Sequence, residues 1–307
     1  MEKIEKIWFT VIIAILVYLL MGIYVSLEEL LNAMKKFDIR FFILLLFLTS
    51  SGYVVRFLKW SYLIKNADVK LSLKQNAFVF FSGLLMTITP AKIGEIWRSF
   101  LIREINGEKM SKTIPVVVLD RISDVFSLIF LSFFGFFYYR EILPVILFIL
   151  ALSAFLIFSF SSNRTVKILN SVTERRFKKY VEEFVEFHQK FSELTKIRII
   201  LFSTLLGIFA WFLECLGMYI TILGFGGNLD ITLSTFIFSF ASLAGAVSMI
   251  PGGLGVAEFT ISGLLHYFGM KSAESVGISI VIRIATLWYG VFLGLVIYFG
   301  FRNLFKQ

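Results

Sequence analysis

The chain has 307 residues, of which 58% are hydrophobic and 17% are charged. This composition is too apolar for an ordinary soluble domain and is typical of a protein that crosses a membrane several times. The single cysteine, Cys215, excludes an internal disulfide, and the histidines His188 and His266 are too few and too distant to form a metal cluster. The net charge of +9 favours basic loops facing anionic lipid over nucleic-acid binding. We therefore expect no metal, no cofactor and no nucleic-acid partner.

Six apolar runs approach or exceed the roughly 20 residues that a helix needs to span a bilayer. They cover residues 7–25, 41–65, 113–138, 141–160, 199–223 and 275–300. The first run lacks a small-x-small cleavage site after its apolar stretch, so we expect it to remain as an anchor. The predicted fold class is an all-α integral membrane protein with about six spanning helices and two re-entrant helical hairpins.

The two predicted hairpins are shorter apolar segments, residues 76–89 and 232–250, each of which ends at a proline. We expect a half-helix to begin directly after each proline, with its free N–H groups inside the membrane. Glycines beyond the second proline should let the backbone approach a ligand or a neighbouring helix closely. The candidate residues of this second break are Pro251, Gly252, Gly253 and Gly255.

An arginine follows each break at almost the same spacing, Arg121 lying 31 residues after Pro90 and Arg283 lying 32 residues after Pro251. We interpret the chain as a single membrane domain that contains two copies of one unit. Its predicted parts are an N-terminal helix and loop (1–40), the first copy with an extra helix (41–160), a cytoplasmic amphipathic connector (161–198) and the second copy (199–307).

Lysine and arginine concentrate on one predicted side of the membrane. By the positive-inside rule this side is cytoplasmic and includes both termini. The first helices of the two copies then run in opposite directions through the membrane, so the two copies are expected to be inverted. The predicted location is the cell membrane, with several passes through it.

Charged side chains inside the apolar segments are the strongest functional signal. A charge at the bilayer centre costs on the order of 3 kcal/mol, so such residues should pair or face a polar cavity. Arg121 and Asp124 are three residues apart and can share a helix face. The candidate substrate-binding charges are Lys92, Glu95, Arg98, Arg121, Asp124, Glu258 and Arg283, with Arg56, Lys59, Asp120 and Glu214 as secondary candidates. For Arg56, Lys59 and Lys92, structural ion pairs or snorkelling to the interface are the alternatives.

Several motifs together resemble the lysylphosphatidylglycerol synthase transmembrane, or flippase-like, family, which is the membrane part of the multiple peptide resistance factor proteins. The motifs are RFLKW (56–60), PAKIGEIWR (90–98), LDRISD (119–124), IPGGLGVAE (250–258) and VIRIA (281–285). The resemblance implies movement of a lipid, often with a charged head group, between leaflets. It points by position to Lys92, Glu95, Arg98, Arg121, Asp124, Glu258 and Arg283 as lining a cavity.

Two departures from the family pattern limit this expectation. Lys92 stands where the family commonly has arginine, which keeps the charge but loses bidentate phosphate geometry. The sequence ends at Gln307 without the soluble aminoacyl-transferase domain, so synthesis of an aminoacyl lipid is not expected.

The expected function is therefore a lipid flippase or scramblase, not an enzyme, whose partner is a membrane lipid with a phosphate head group. Three alternatives remain open: a secondary transporter of a small anion, a membrane enzyme acting on a lipid-linked phosphate, and a scaffold without transport activity. The sequence also leaves open the particular lipid, the direction of transport, the energy source and the formation of homo-oligomers.

Overall fold

The computed structural model describes residues 2–89, 94–138, 140–145, 147–151 and 178–304. These residues form helices joined by short turns, with no strand among them. In chain order the α-helices are α1 Glu2–Tyr24, α2 Leu27–Lys36, α3 Ile39–Asn66, α4 Leu73–Leu84, α5 Trp97–Asn106, α6 Met110–Ser132, α7 Lys178–Leu194, α8 Ile197–Gly224, α9 Ile231–Val247, α10 Val256–Tyr267, α11 Ser272–Arg283 and α12 Tyr289–Phe301.

Among the described residues, three helical stretches are long and apolar enough to cross a membrane: α3, α8 and the continuous run Ser272–Leu304. A bent pair, Thr10–Tyr24 with α2, becomes a fourth candidate if it is one span, and its two parts meet at 96°. The shorter apolar helices Leu73–Ile88 and α9 coincide with the two predicted hairpins. The predicted run 113–138 is helical, whereas half of 141–160 lies outside the described residues, so the count of six spans stays a prediction.

Helices α3 and α8 pack along one another more extensively than any other pair of described helices. Small residues allow this close approach. A Cβ atom added at Gly52 of α3 would lie 3.4 Å from the carbonyl oxygen of Ala210 in α8. A Cβ atom added at Gly217 of α8 would lie 2.6 Å from Leu45 of α3. The two glycines therefore fix how near the two helices can come.

The helices that follow α3 and α8 occur in the same order in both parts of the chain. Each long helix is followed by a shorter apolar helix, a break, a helix of ten or twelve residues and a helix with an embedded arginine. Arg121 and Arg283 each lie 11 residues after the first residue of their helix. Arg56 and Glu214 each lie 17 residues after the first residues of α3 and α8. The charged side chains thus occupy matching positions.

The break after α9 differs from the prediction that a half-helix begins at Pro251. Pro251 opens only a short 3₁₀ turn, and α10 begins five residues later at Val256. The reason is backbone geometry, because Gly252, Gly253 and Gly255 have φ values of 58°, 66° and 82°. These left-handed conformations cannot belong to a right-handed helix. The helix can start only after the last of these glycines.

The first break is described in part, since Pro90 lies outside the described residues. After α4 the chain makes a 3₁₀ turn, Leu85–Ile88, and it reaches α5 through another short turn at residues 94–96. Thr89 Oγ1 accepts a hydrogen bond of 2.9 Å from the backbone N–H of Gly94. The described residues of both breaks therefore form short turns between two helices.

Helix α7 is the described part of the predicted connector, whose residues 161–177 lie outside the described residues. It packs against α6. The rings of Phe187 and Phe191 stack at 5.8 Å, and Ser111 Oγ donates a hydrogen bond of 2.7 Å to Glu186. The hydrogen bond from Ser111 lowers the pKa of Glu186. This contact attaches the amphipathic helix to the start of α6.

Candidate functional site

A polar cavity of about 200 Å³ lies between α3, α6, α8, α9 and the second break. Four arginines and three carboxylates line it together with aromatic and apolar side chains. The charged lining residues are Arg56, Glu95, Arg98, Arg121, Asp124, Glu214 and Arg283. The backbone of Gly245, Gly252 and Gly253 forms part of the wall, so the second break borders the cavity directly.

Lys59 is buried behind this wall and neutralises two carboxylates of α6. Its Nζ lies 2.5 Å from Asp124 Oδ1 and 3.0 Å from Asp120 Oδ1. The same ammonium group donates to the backbone oxygen of Asp120 at 3.1 Å and to Ser123 Oγ at 3.2 Å. A buried ammonium ion needs such partners because it has lost its hydration. Lys59 is only 1% exposed, so the snorkelling interpretation is wrong for it.

Arg121 joins α6 to the first break. Its Nε lies 3.2 Å from Glu95 Oε2, and its Nη2 lies 3.1 Å from Asp124 Oδ2 and 2.5 Å from Asp120 Oδ2. The predicted pairing of Arg121 with Asp124 on one helix face is confirmed. The side chain of Arg121 is 36% exposed, more than any other cation in these pairs. Arg121 is therefore surrounded by carboxylates and still accessible.

Arg98 of α5 reaches the same carboxylate cluster from the opposite side. Its Nη1 donates to Asp120 Oδ2 at 3.1 Å, and its guanidinium group lies over the rings of Phe80 and Trp60 at 4.7 and 5.0 Å. Such cation–π contacts stabilise a buried guanidinium group. Gly83 leaves the necessary room, since a Cβ atom there would lie 2.7 Å from Arg98 Cγ.

The second break has its own pair, between Arg283 and Glu258. Arg283 Nε donates to Glu258 Oε1 at 2.8 Å, and Nη2 donates to the backbone oxygen of Gly252. Tyr18 of α1 donates to the same Glu258 oxygen at 3.5 Å, and Trp288 Nε1 donates to the Tyr18 hydroxyl at 2.9 Å. Glu258 is fully buried and does not line the cavity. Its carboxylate instead binds the guanidinium group of Arg283, which does line the cavity.

Arg56 of α3 and Glu214 of α8 form an ion pair between these two packed helices. Arg56 Nη1 lies 2.7 Å from Glu214 Oε1, and the guanidinium carbon lies 4.2 Å from the centre of the Trp211 ring. Trp211 Nε1 donates to Asp124 Oδ1 at 3.1 Å. The snorkelling interpretation is also wrong for Arg56, whose side chain is 14% exposed and points into the bundle. This pair is thereby linked to the carboxylates of α6.

The structure brings together most of the residues proposed from the sequence. Those that line the cavity are Glu95, Arg98, Arg121, Asp124, Gly252, Gly253 and Arg283, with Arg56 and Glu214 from the secondary set. Those outside the lining are Lys59, Asp120, Pro251, Gly255 and Glu258. Lys92 lies outside the described residues.

Several aromatic residues of the site were not predicted, among them Tyr53, Trp211, Tyr18 and Trp288. Tyr53 and Trp211 line the cavity. Tyr18 donates a hydrogen bond to Glu258, and Trp288 donates one to Tyr18. A usable signal exists for the first two, because each lies three residues before an embedded charge of its own helix. Residues three apart share a helix face. The other two depend on contacts between distant helices and leave no such pattern.

Comparison with known proteins identifies the family of the chain. The sequence model of the family described as lysylphosphatidylglycerol synthase TM region matches residues 10–294. The chain belongs to this family. Relatives of the family include the UPF0104 membrane protein PH1989 of Pyrococcus horikoshii, 27% identical over 94% of this chain and 95% of the relative. A UPF0104 membrane protein of Methanothermobacter thermautotrophicus is 22% identical over 96% of this chain and 93% of the relative. The UPF0104 membrane protein MJ1078 of Methanocaldococcus jannaschii is 26% identical over 72% of this chain and 96% of the relative. The chain is therefore a membrane protein with archaeal relatives.

Proposed function

We propose that this protein moves a lipid with a phosphate-bearing head group between the two leaflets of the cell membrane. The observation that carries the proposal is the cavity lined by four arginines and three carboxylates within a bundle of apolar helices. Ionisable residues at membrane depth are costly and commonly mark a substrate pathway. Guanidinium groups suit phosphate oxygens, and the carboxylates balance their charge when the cavity is empty.

The matched helices support a two-copy, inverted architecture for this transport. An arginine of the later helix pairs with a glutamate after the break in both parts of the chain, at 3.2 Å for Arg121 with Glu95 and at 2.8 Å for Arg283 with Glu258. Inverted copies with broken helices place the substrate between them and allow access from either side in turn. We propose this arrangement, with passive or ion-coupled movement.

The outer surface near the breaks favours a lipid over a water-soluble anion. Ile96 follows the lining residue Glu95 and is 37% exposed. Val247 and Met249 precede the lining glycines of the second break and are 52% and 63% exposed. Each break thus has a polar side toward the cavity and an apolar side toward the outside. This arrangement suits a head group in the cavity and acyl tails in the surrounding bilayer.

Proteoliposomes with lipids labelled in one leaflet test the proposal. Wild type should move an anionic, aminoacylated or polyprenyl lipid, and Arg121→Ala and Arg283→Ala should each slow the initial rate roughly tenfold or more. Arg40→Ala is the matched control, since Arg40 pairs with Asp38 at an exposed site and should retain the wild-type rate. Thermal unfolding of each purified variant checks that it is folded, and Arg→Lys variants replace any that are not.

Three outcomes of the same experiment would contradict lipid transport. Uptake of radioactive phosphate without lipid movement would indicate a small-anion transporter. A changed lipid in chromatography of the recovered membranes would indicate an enzyme. A folded wild type that moves none of these lipids and no phosphate would leave the scaffold interpretation.

Cysteine labelling tests the orientation and the inverted arrangement. Cys215 is fully buried, so the wild-type chain should react little with a membrane-impermeant maleimide. We expect Glu183→Cys, in the exposed face of α7, to be labelled only after cells are permeabilised, and Lys271→Cys to be labelled in intact cells. Labelling of both sites from the same side would contradict a re-entrant second break between them.

A further inference from the structure

The guanidinium group of Arg56 has one edge without a protein partner. Its Nη1 contacts Glu214 at 2.7 Å, whereas Nε and Nη2 are buried and make no hydrogen bond. Leaving a buried donor unpaired costs about 1 to 3 kcal/mol, and more when the group is charged. The residue also lines the cavity. The partner of these two nitrogens would have to come from the cavity that Arg56 lines, and the side chains that cover the nitrogens would have to move to admit it.

The corresponding edges of two other cavity arginines are already occupied by protein. Arg121 directs Nη2 to two carboxylates of α6, and its Nε makes no hydrogen bond but lies 3.2 Å from the Glu95 carboxylate. Arg283 directs Nε to Glu258 and Nη2 to the backbone oxygen of Gly252. Nε and Nη2 lie on the same side of a guanidinium group and form its planar fork. In Arg56 neither nitrogen of this fork has a hydrogen-bond partner.

We propose that the Nε–Nη2 edge of Arg56 binds two oxygens of a phosphate group, an inference that rests on the proposed function and deepens it. A phosphate group supplies two parallel acceptors for the two unpaired donors. Arg56 also lies at the contact of α3 with α8, at a position that matches Glu214. A phosphate group bound there is held between the two copies, where it can be reached from either side in turn.

Neighbouring side chains hold the fork in place. The Trp211 ring lies 4.2 Å from the guanidinium carbon, and Asp124 fixes that ring by accepting its N–H at 3.1 Å. Glu214 occupies the remaining nitrogen at 2.7 Å. The plane of the guanidinium group is therefore set by three residues before a ligand arrives, which reduces the entropy lost on binding.

Calorimetric titration of the purified full chain tests the site with two probes, inorganic phosphate and dihexanoyl phosphatidic acid. Arg56→Lys keeps the positive charge and removes the fork, so the affinity for the probe that wild type binds should fall roughly tenfold or more. Arg40→Lys is the matched control and should bind as wild type does. The tighter probe identifies the source of the phosphate group, a lipid or the free ion.

A second variant keeps the inference testable if Arg56→Lys does not fold. Arg56→Gln combined with Glu214→Gln removes both charges of the pair and leaves no ion unpaired. This double variant should lose measurable binding of both probes. Binding of either probe by the folded double variant at wild-type affinity would overturn the proposal, as would a wild type that binds neither.

The site and the lipid transport can fail separately. If Arg56→Lys weakens phosphate binding but the wild type moves no lipid in proteoliposomes, the phosphate site stands and lipid transport is wrong. If the wild type moves lipid and Arg56→Lys retains both its rate and its affinity, lipid transport stands and the phosphate site is wrong.

Discussion

Replacing Lys59 with methionine should lower the free energy of unfolding by about 3 to 5 kcal/mol. Methionine fills a similar volume, but the substitution leaves Asp120 and Asp124 without the ammonium group that lies 3.0 and 2.5 Å away. Two carboxylates would then share a buried region with fewer positive charges. The measurement is the midpoint of thermal or chemical unfolding of the purified protein in detergent.

Lys109→Met is the matched control for this prediction. Lys109 pairs with Glu186 at 3.3 Å, but its side chain is 73% exposed. An exposed ion pair contributes about 0 to 1 kcal/mol, so the midpoint should hardly move. Adding Asp124→Asn to Lys59→Met should restore part of the lost stability, because it removes one of the two carboxylate charges that have lost the ammonium group. Equal midpoints for Lys59→Met and Lys109→Met would contradict the assigned role of Lys59.

Replacing Gly253 with alanine should destabilise the protein by roughly 2 to 4 kcal/mol. Two effects act together at this position. Its φ of 66° is unfavourable for a residue with a side chain, and the added Cβ atom would lie 2.9 Å from Gly245 Cα. That neighbour is backbone and cannot move aside as a flexible side chain can. The cavity wall, to which both glycines contribute, should be distorted as well.

Gly226→Ala separates the two effects. Gly226 has a similar φ of 77°, but no atom lies within 4 Å of the place where its Cβ atom would be. Its substitution should therefore show the conformational strain alone, roughly 1 to 2 kcal/mol. If unfolding curves give the same loss for Gly226→Ala and Gly253→Ala, the close contact between the second break and α9 has no energetic weight.

The long helices could be predicted from the sequence because a continuous apolar run of the right length has few other solutions. The runs 41–65 and 199–223 correspond to α3 and α8 within two residues at each end. The start of α10 could not be predicted in the same way. Proline is favoured at a helix start, and that preference pointed to Pro251. The positive φ values of the following glycines override this preference. They could not be predicted from the sequence, because they are a property of the folded backbone.

The site was predictable where its partners share one helix and unpredictable where they do not. The pair of Arg121 with Asp124 follows from a spacing of three residues. Glu95 and Arg98 have the same spacing, yet Glu95 contacts Arg121 and Arg98 contacts Asp120. Glu95 lies in the turn before α5, so the helical spacing rule does not apply to it. Pairs between helices depend on packing distances that no local pattern contains.

The meeting of Arg56 with Glu214 bears on how such a chain could have arisen. In a symmetric dimer of identical subunits, the residue on the axis faces its own copy, so an arginine there would face an arginine. Two like charges at about 3 Å would repel each other strongly. Opposite charges at matching positions require that the two halves differ in sequence, as they can once they are joined in one gene. If the two parts of the chain are copies of one unit, the ion pair at 2.7 Å fits duplication and fusion, after which matching positions can differ, better than assembly from identical subunits.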